Sequence, residues 1–243
     1  MKNNQNLKIL VISPAYTLSG VPLAQLRLAK SLGKLGHEVD LIYGCKKYYK
    51  IEKTKNIKIK FFNKSRVIGM FFPLLKYLLF NKPDIIFSAE DHLNAIVTLA
   101  CILTFSKAKI SVSSRVTPVD TYKNSDKYFS KGWFLKILFP LVNSKADVMT
   151  CVSKDMVKQY KKIFKNTKQV PVYNIVKTEE SLIKMKNKIN HKWYKNKNNK
   201  VIIASGKLAT WKGFDDLIKA TMILIQKKIN IKVVIIGDGP EKN

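Results

Sequence analysis

Short apolar runs recur along the chain, and between them apolar residues return every three or four positions. The runs have the length of buried strands, and the spacing is that of amphipathic helices. Lys8–Ser13 reads as a first strand. Pro14 to Pro22 is a loop holding Gly20, and apolar positions 23, 24, 26, 28, 29, 32 and 35 predict a helix over Leu23–Leu35. Gly36 stops that helix, because glycine takes the left-handed backbone that often follows a helix end. A second strand follows over His37–Ile42. Further strands are predicted over Ile57–Phe62, Pro83–Ser88, Lys109–Ser114, Asp147–Val152 and Val170–Tyr173. Helices are predicted over Val67–Phe80, His92–Leu103, Trp133–Val142 and Lys154–Phe164, the last capped by Ser153. Alternation at this interval predicts an α/β domain with a doubly wound parallel sheet of about seven strands. Ligands of such sheets sit beyond the carboxyl ends of the strands.

Residues 177–200 break the pattern with a Lys- and Asn-rich stretch. Strand–helix alternation restarts at Val201. The expected organisation is therefore a first domain over 1–175, a linker over 176–200 and the start of a second domain over 201–243. In that last part Val201–Ala204 is a strand ending in Ser205-Gly206-Lys207. Lys212-Gly213 opens an amphipathic helix, and Val233–Ile236 is a strand ending in Gly237-Asp238-Gly239-Pro240. A glycine after a strand lets the backbone approach a ligand closely. Two nearby lysines and a helix N-terminus can flank a pyrophosphate. The same residues also suit an ordinary strand–helix turn with solvated lysines.

These motifs carry a resemblance. Gly206-Lys207-Leu208, then Lys212-Gly213-Phe214 and Leu217, then Gly237-Asp238-Gly239-Pro240, resemble the donor-binding start of the second domain of family 4 (group 1) retaining glycosyltransferases of the GT-B fold. The stretch LAKSLGKLGHEVDLI resembles the family's first helix and second strand, and the likeness runs from Lys8 to Pro240. It implies a GT-B-like fold: a doubly wound N-terminal domain on the acceptor side, then the first β-α-β part of a Rossmann-like, nucleotide-sugar-binding domain. It implies transfer of a sugar from a nucleotide-diphosphate sugar to a cell-envelope glycan or lipid-linked acceptor, with retention.

By the same resemblance, Gly206, Lys207, Lys212 and Gly213 hold the donor diphosphate, and Gly237, Asp238 and Gly239 lie on the nucleotide side. Lysine at 207 replaces the family's arginine, keeping the charge but losing the bidentate fork. Gly20 and Arg115 belong to the N-domain cleft; Ser19 replaces one of a usual glycine pair. His92 is the candidate catalytic residue, facing the reacting sugar, or else a helix-capping or packed histidine. Glu90 and Asp91 assist it or cap the helix. Arg115 binds phosphate or pairs with Asp120. Asn174 matches the asparagine that opens the interdomain crossover. The family's later pair of donor-site glutamates has no counterpart in these 243 residues, so little transfer is expected of this chain by itself.

Composition adjusts this picture. Lys and Arg total 45 against 16 acidic residues, a formal net charge of +29. Such a field favours anionic partners: phosphorylated ligands, nucleic acid or an anionic membrane surface. The lysines are scattered rather than striped, which argues against nucleic acid. RVIGMFFPLLKYLLF and KGWFLKILFPL mix cations with aromatics, as core helices or as helices lying on anionic lipid. Cys45, Cys101 and Cys151 are far apart and form no metal-ligand or disulfide pattern, so a cytoplasmic setting is the default. The start of the chain reads as a strand and not a signal peptide, and no transmembrane helix is expected. No D-x-D triplet occurs, and no metal or cofactor is implied. The alternatives are a basic membrane- or nucleic-acid-binding module, a sugar-nucleotide epimerase of the same fold, or a remnant that binds acceptor only.

Overall fold

A computed structural model describes residues 6–17, 19–47, 56–117, 142, 144–165, 167–175, 179–196 and 198–242. The helix expected over Trp133–Val142 lies, Val142 apart, outside the described residues, as does Asp120. The chain divides into two compact units, Met1–Val176 and Lys177–Asn243.

The first unit is built on a seven-stranded sheet. Its strands are β1 (Lys8–Tyr16), β2 (Glu38–Lys46), β3 (Ile57–Phe61), β4 (Ile85–Ala89), β5 (Lys109–Ser114), β6 (Val148–Cys151) and β7 (Gln169–Pro171). They lie in the order β3-β2-β1-β4-β5-β6-β7, and every neighbouring pair is parallel, as the alternation predicts. Helices α1 (Gly20–Lys34), α2 (Phe71–Asn81), α3 (Asp91–Leu103) and α4 (Lys154–Lys161) cover it. Alternate residues of β1 serve opposite faces. Ile9 and Val11 pack with Val39, Leu41, Tyr43 and Ala29 of α1. Leu10 and Ile12 join Ile86, Val112, Met149 and the inner faces of α2, α3 and α4. Burial on both faces is why these strands read as unbroken apolar runs. Cys101 and Cys151 are core residues, and burial pushes their thiols up to about 12 and about 11.

Element ends differ from the sequence reading where proline intervenes. β1 runs through Pro14 to Tyr16 instead of stopping at Ser13. The ladder passes from Ser13–Tyr43 to Ala15–Cys45 and leaves out Pro14, which has no N–H to give. The helix predicted over Val67–Phe80 is a 3-10 turn, Val67–Met70, followed by α2. Pro73 would clash with the carbonyl of Gly69 in a continuous α-helix, so the helix begins anew with Pro73 in its first turn. Gly36 has φ 95 beyond the end of α1, and Ser153 Oγ accepts from Met156 N at 3.1 Å at the start of α4, both as expected.

The second unit holds a parallel pair, β8 (Lys200–Ser205) and β9 (Ile231–Ile236), joined through α7 (Phe214–Gln226). Two short helices, α5 (Glu179–Met185) and α6 (Lys192–Lys195), occupy the stretch read as a linker. Among the described residues, no helix is long and apolar enough to cross a membrane.

Candidate functional site

The first unit places its candidates at a topological switch point. From β1 the chain winds outward through β2 and β3, then returns to β4 on the other side of β1. Ligands of open α/β sheets bind outside the carboxyl ends of the strands at such a reversal. Gly20 is the first residue of α1, following β1. A Cβ added there meets nothing within 4 Å, so the space above this helix start is open. His92 is the second residue of α3, following β4, and is exposed. The N-cap of α3 is Glu90, whose side chain makes no capping bond. Arg115 follows β5. Its guanidinium donates to Asn174 Oδ1, so two residues singled out separately in the sequence meet here. Its Nε is buried without a partner, and burial lowers its pKa. Gly20, His92 and Arg115 thus stand at the carboxyl ends of three neighbouring strands.

Beneath this edge lies a polar network that sequence reasoning missed. Asp91 is buried; its Oδ1 accepts from Ser114 Oγ at 2.7 Å and its Oδ2 from Tyr160 OH at 2.9 Å. The Tyr160 hydroxyl is also 2.9 Å from the Val116 carbonyl, and its single proton serves one acceptor at a time. Ser88 Oγ donates to Asn94 Oδ1, and Asn94 Nδ2 donates to the Ser113 carbonyl at 3.0 Å. The network ties β4, β5, α3 and α4 together under His92. Its signal in the sequence was Asp91 itself and polar residues at positions 88, 94 and 114, inside or at the end of otherwise apolar runs. Glu90 sits above it with φ 78 and ψ 127. Burial, then the charge of Asp91, raises its pKa.

In the second unit, two loops lie side by side at the carboxyl ends of β8 and β9. Gly206 N donates to the Ile236 carbonyl at 3.0 Å, Leu208 N to the Asp238 carbonyl at 3.0 Å, and Glu241 N to the Leu208 carbonyl at 3.2 Å. This gives the glycines of 237–239 an internal reason. A Cβ on Gly237 would stand 1.9 Å from the Gly206 oxygen, and one on Gly239 would stand 2.1 Å from the Leu208 oxygen. Asp238 Oδ1 accepts from Gly239 N at 3.0 Å and lies 3.6 Å from Lys242 Nζ.

Lys207 and Lys212 are both exposed. Lys207 Nζ stands 5.6 Å from the centre of the exposed Trp211 ring, a cation–π distance that holds the ammonium beside the loop. Lys212 ends a 3-10 turn, Thr210–Lys212. Gly213, with φ 64, then redirects the backbone and its carbonyl accepts from Leu217 N at 3.2 Å, opening α7. Asp215 and Asp216 lie in the first turn of α7, where carboxylates complement the helix dipole. Lys219 reaches back to both, at 3.5 and 3.9 Å. The Gly206–Leu208 and Gly237–Gly239 loops are therefore brought together on this unit, with Lys212 and Gly213 at the start of α7.

Comparison with known proteins finds a family match in each of the two units. Residues 19–180 match the family model described as Glycosyltransferase Family 4, and residues 185–243 match the model described as Glycosyl transferases group 1. An uncharacterised glycosyltransferase of Methanocaldococcus jannaschii is 28% identical over 207 residues, covering 79% of this chain and 48% of that one. The chain thus spans about half the length of the curated relative it matches. Among solved structures, an apo structure of OtsA has a TM-score of 0.67 at 12% identity, covering 95% of this chain and 65% of that chain. A UDP-N-acetylglucosamine 2-epimerase has a TM-score of 0.55 at 14% identity, with coverage of 94% and 63%. At such identities these structures speak for the α/β, GT-B-like fold alone. The family model spans more than half of the sequence, and the chain belongs to glycosyltransferase family 4.

Proposed function

We propose that this chain is part of a retaining glycosyltransferase that moves a hexose-type sugar from a nucleotide-diphosphate sugar to a cell-envelope glycan or lipid-linked acceptor. The observation that carries the proposal is the second unit's loop pair, with two exposed lysines flanking the start of α7. As the sugar leaves, negative charge grows on the departing diphosphate. Lys207 and Lys212 are assigned to stabilise that charge, and the free amides at the start of α7 add to the same field. Gly237, Asp238 and Gly239 form the wall assigned to the nucleotide. In the first unit His92 is assigned to the reacting sugar, with Gly20 and Arg115 on the same strand edge.

Because the chain spans about half of its relative, nucleoside diphosphate binding is the readout, not turnover. Titration calorimetry with UDP, ADP and GDP identifies the base that binds. Lys207→Ala and Lys212→Ala are each expected to weaken binding of that diphosphate by about tenfold, the worth of a hydrogen bond to a charged group. Equal affinity in both variants would remove the loop from the donor site. On the whole protein, conversion of the sugar nucleotide without any acceptor would mark an epimerase instead.

A further inference from the structure

Helix α2 carries an apolar face that no described residue of its unit covers. Leu74, Tyr77 and Leu78 turn inward, yet Phe72 is 76% exposed, Phe80 77% and Leu79 55%. Lys76 is exposed in the same stripe, one turn after Phe72 and one before Phe80. The apolar surface continues beyond the end of α3, where Phe105 is 90% exposed. Phe105 also has φ 47, a left-handed backbone that disfavours a bulky side chain. A phenylalanine kept in strain and in water is costly to folding and calls for another use. Leu79 and Phe105 line a surface concavity of about 530 Å³ that also contains Lys82 and Lys107. Asp84 is the sole acid among the described residues lining it, and its Oδ2 already accepts from Lys8 N at 2.7 Å. Lys76, Lys82 and Lys107 form no ion pair among the described residues.

We infer that this face is a docking surface for an anionic lipid bilayer. Aromatic and leucine side chains beside unpaired lysines suit the headgroup region: the rings enter the acyl boundary and the ammonium groups stay with the phosphates. Charge decides against a second copy of the chain as the occupant. Each copy carries +29, so stacking two of these faces brings like charges together. The stripe runs along α2, so the helix lies in the plane of the membrane. The inference rests on this surface and not on sugar transfer, and its test needs no donor.

The test is co-sedimentation of the full chain with vesicles of phosphatidylcholine alone or mixed with phosphatidylglycerol. The chain is expected to bind the phosphatidylglycerol vesicles at least about tenfold more tightly, with binding falling as salt is added. The double variant Phe72→Glu, Phe80→Glu is expected to lose at least about tenfold of that binding, since two exposed rings no longer enter lipid. A Phe80→Trp variant gives a second reading through fluorescence: its emission is expected to shift to the blue on anionic vesicles by more than the native chain's. Equal binding by the double variant, or no added shift at position 80, overturns the proposal. So does a dimer, seen by analytical ultracentrifugation, that the double variant dissolves while native vesicle binding is absent.

Discussion

At Glu90 the backbone takes φ 78 and ψ 127, a conformation that side chains resist and glycine tolerates. The carboxyl is at the same time partly buried and next to the charge of Asp91, and both effects raise its pKa. The residue therefore carries two separable penalties. Glu90→Gly relieves the backbone and is expected to stabilise the fold by about 1–3 kcal/mol, read by chemical denaturation. Glu90→Gln keeps the backbone strain and removes only the charge. The sign of its effect follows from linkage. A carboxyl whose folded pKa lies above its unfolded value favours folding at low pH. That advantage is full below about pH 4.3 and is lost as pH rises through the folded pKa. The native chain should lose stability across this window, and Glu90→Gln should lose less. Parallel pH profiles of Tm for the two would show that Glu90 carries no such penalty. The position, between β4 and His92 at the switch point, is where strain kept for ligand handling is expected.

At the scale of elements, the loop pair of the second unit is held by contact between backbones. Gly237→Ala puts a Cβ 1.9 Å from the Gly206 oxygen, so the loops must part. The expected cost is about 1–3 kcal/mol, together with loss of protection at the amides of Gly206 and Leu208, measured by hydrogen exchange. Gly20→Ala is the contrast: its Cβ meets nothing within 4 Å, and stability should be unchanged. Unaltered exchange in Gly237→Ala would mean that the loops are not packed as described. These two glycines also show what was legible in the sequence. That Gly20 and Gly237 follow strands was plain, because buried parallel strands are short apolar runs closed by glycine. That one clears space and the other fills a backbone contact was not, because the second fact depends on a partner loop some thirty residues away. The strands and most helices were legible for the same local reason. The Asp91 network was not, because Ser88, Asn94, Ser114 and Tyr160 come from four elements and meet only in three dimensions. Strand ends were misread at Pro14, where a parallel ladder simply passes over the residue that lacks an N–H.

At the scale of the molecule, the two units are stabilised to different degrees. The sheet of the first unit is covered on both faces, and β1, β2, β4 and β5 are lined by side chains with almost no exposure. In the second unit only Ala209 and Ile231 are buried apolar residues among those described, while Ile203, Ile218, Met222, Ile225 and Ile236 are each more than half exposed. Apolar area removed from water is the main favourable term in folding, worth about 25 cal/mol per Å². A unit that buries so little of it has a small margin over the entropy of ordering its chain. Secondary structure does not compensate, because α7 packs on a sheet of just two strands. Native-state hydrogen exchange on this chain should therefore find two classes of amide. Those of β8, β9 and α7 should exchange through opening at a fraction of the global free energy, and those of β1, β2, β4 and β5 only near the global limit. Equal protection in β8 and β1 would contradict this, and would mean that the apolar face of α7 is covered in solution. The expected difference has a functional side. A donor diphosphate bound to the loops of the second unit stabilises that unit by mass action, so β8 and β9 should gain protection on addition of the nucleoside diphosphate while β1 and β2 do not.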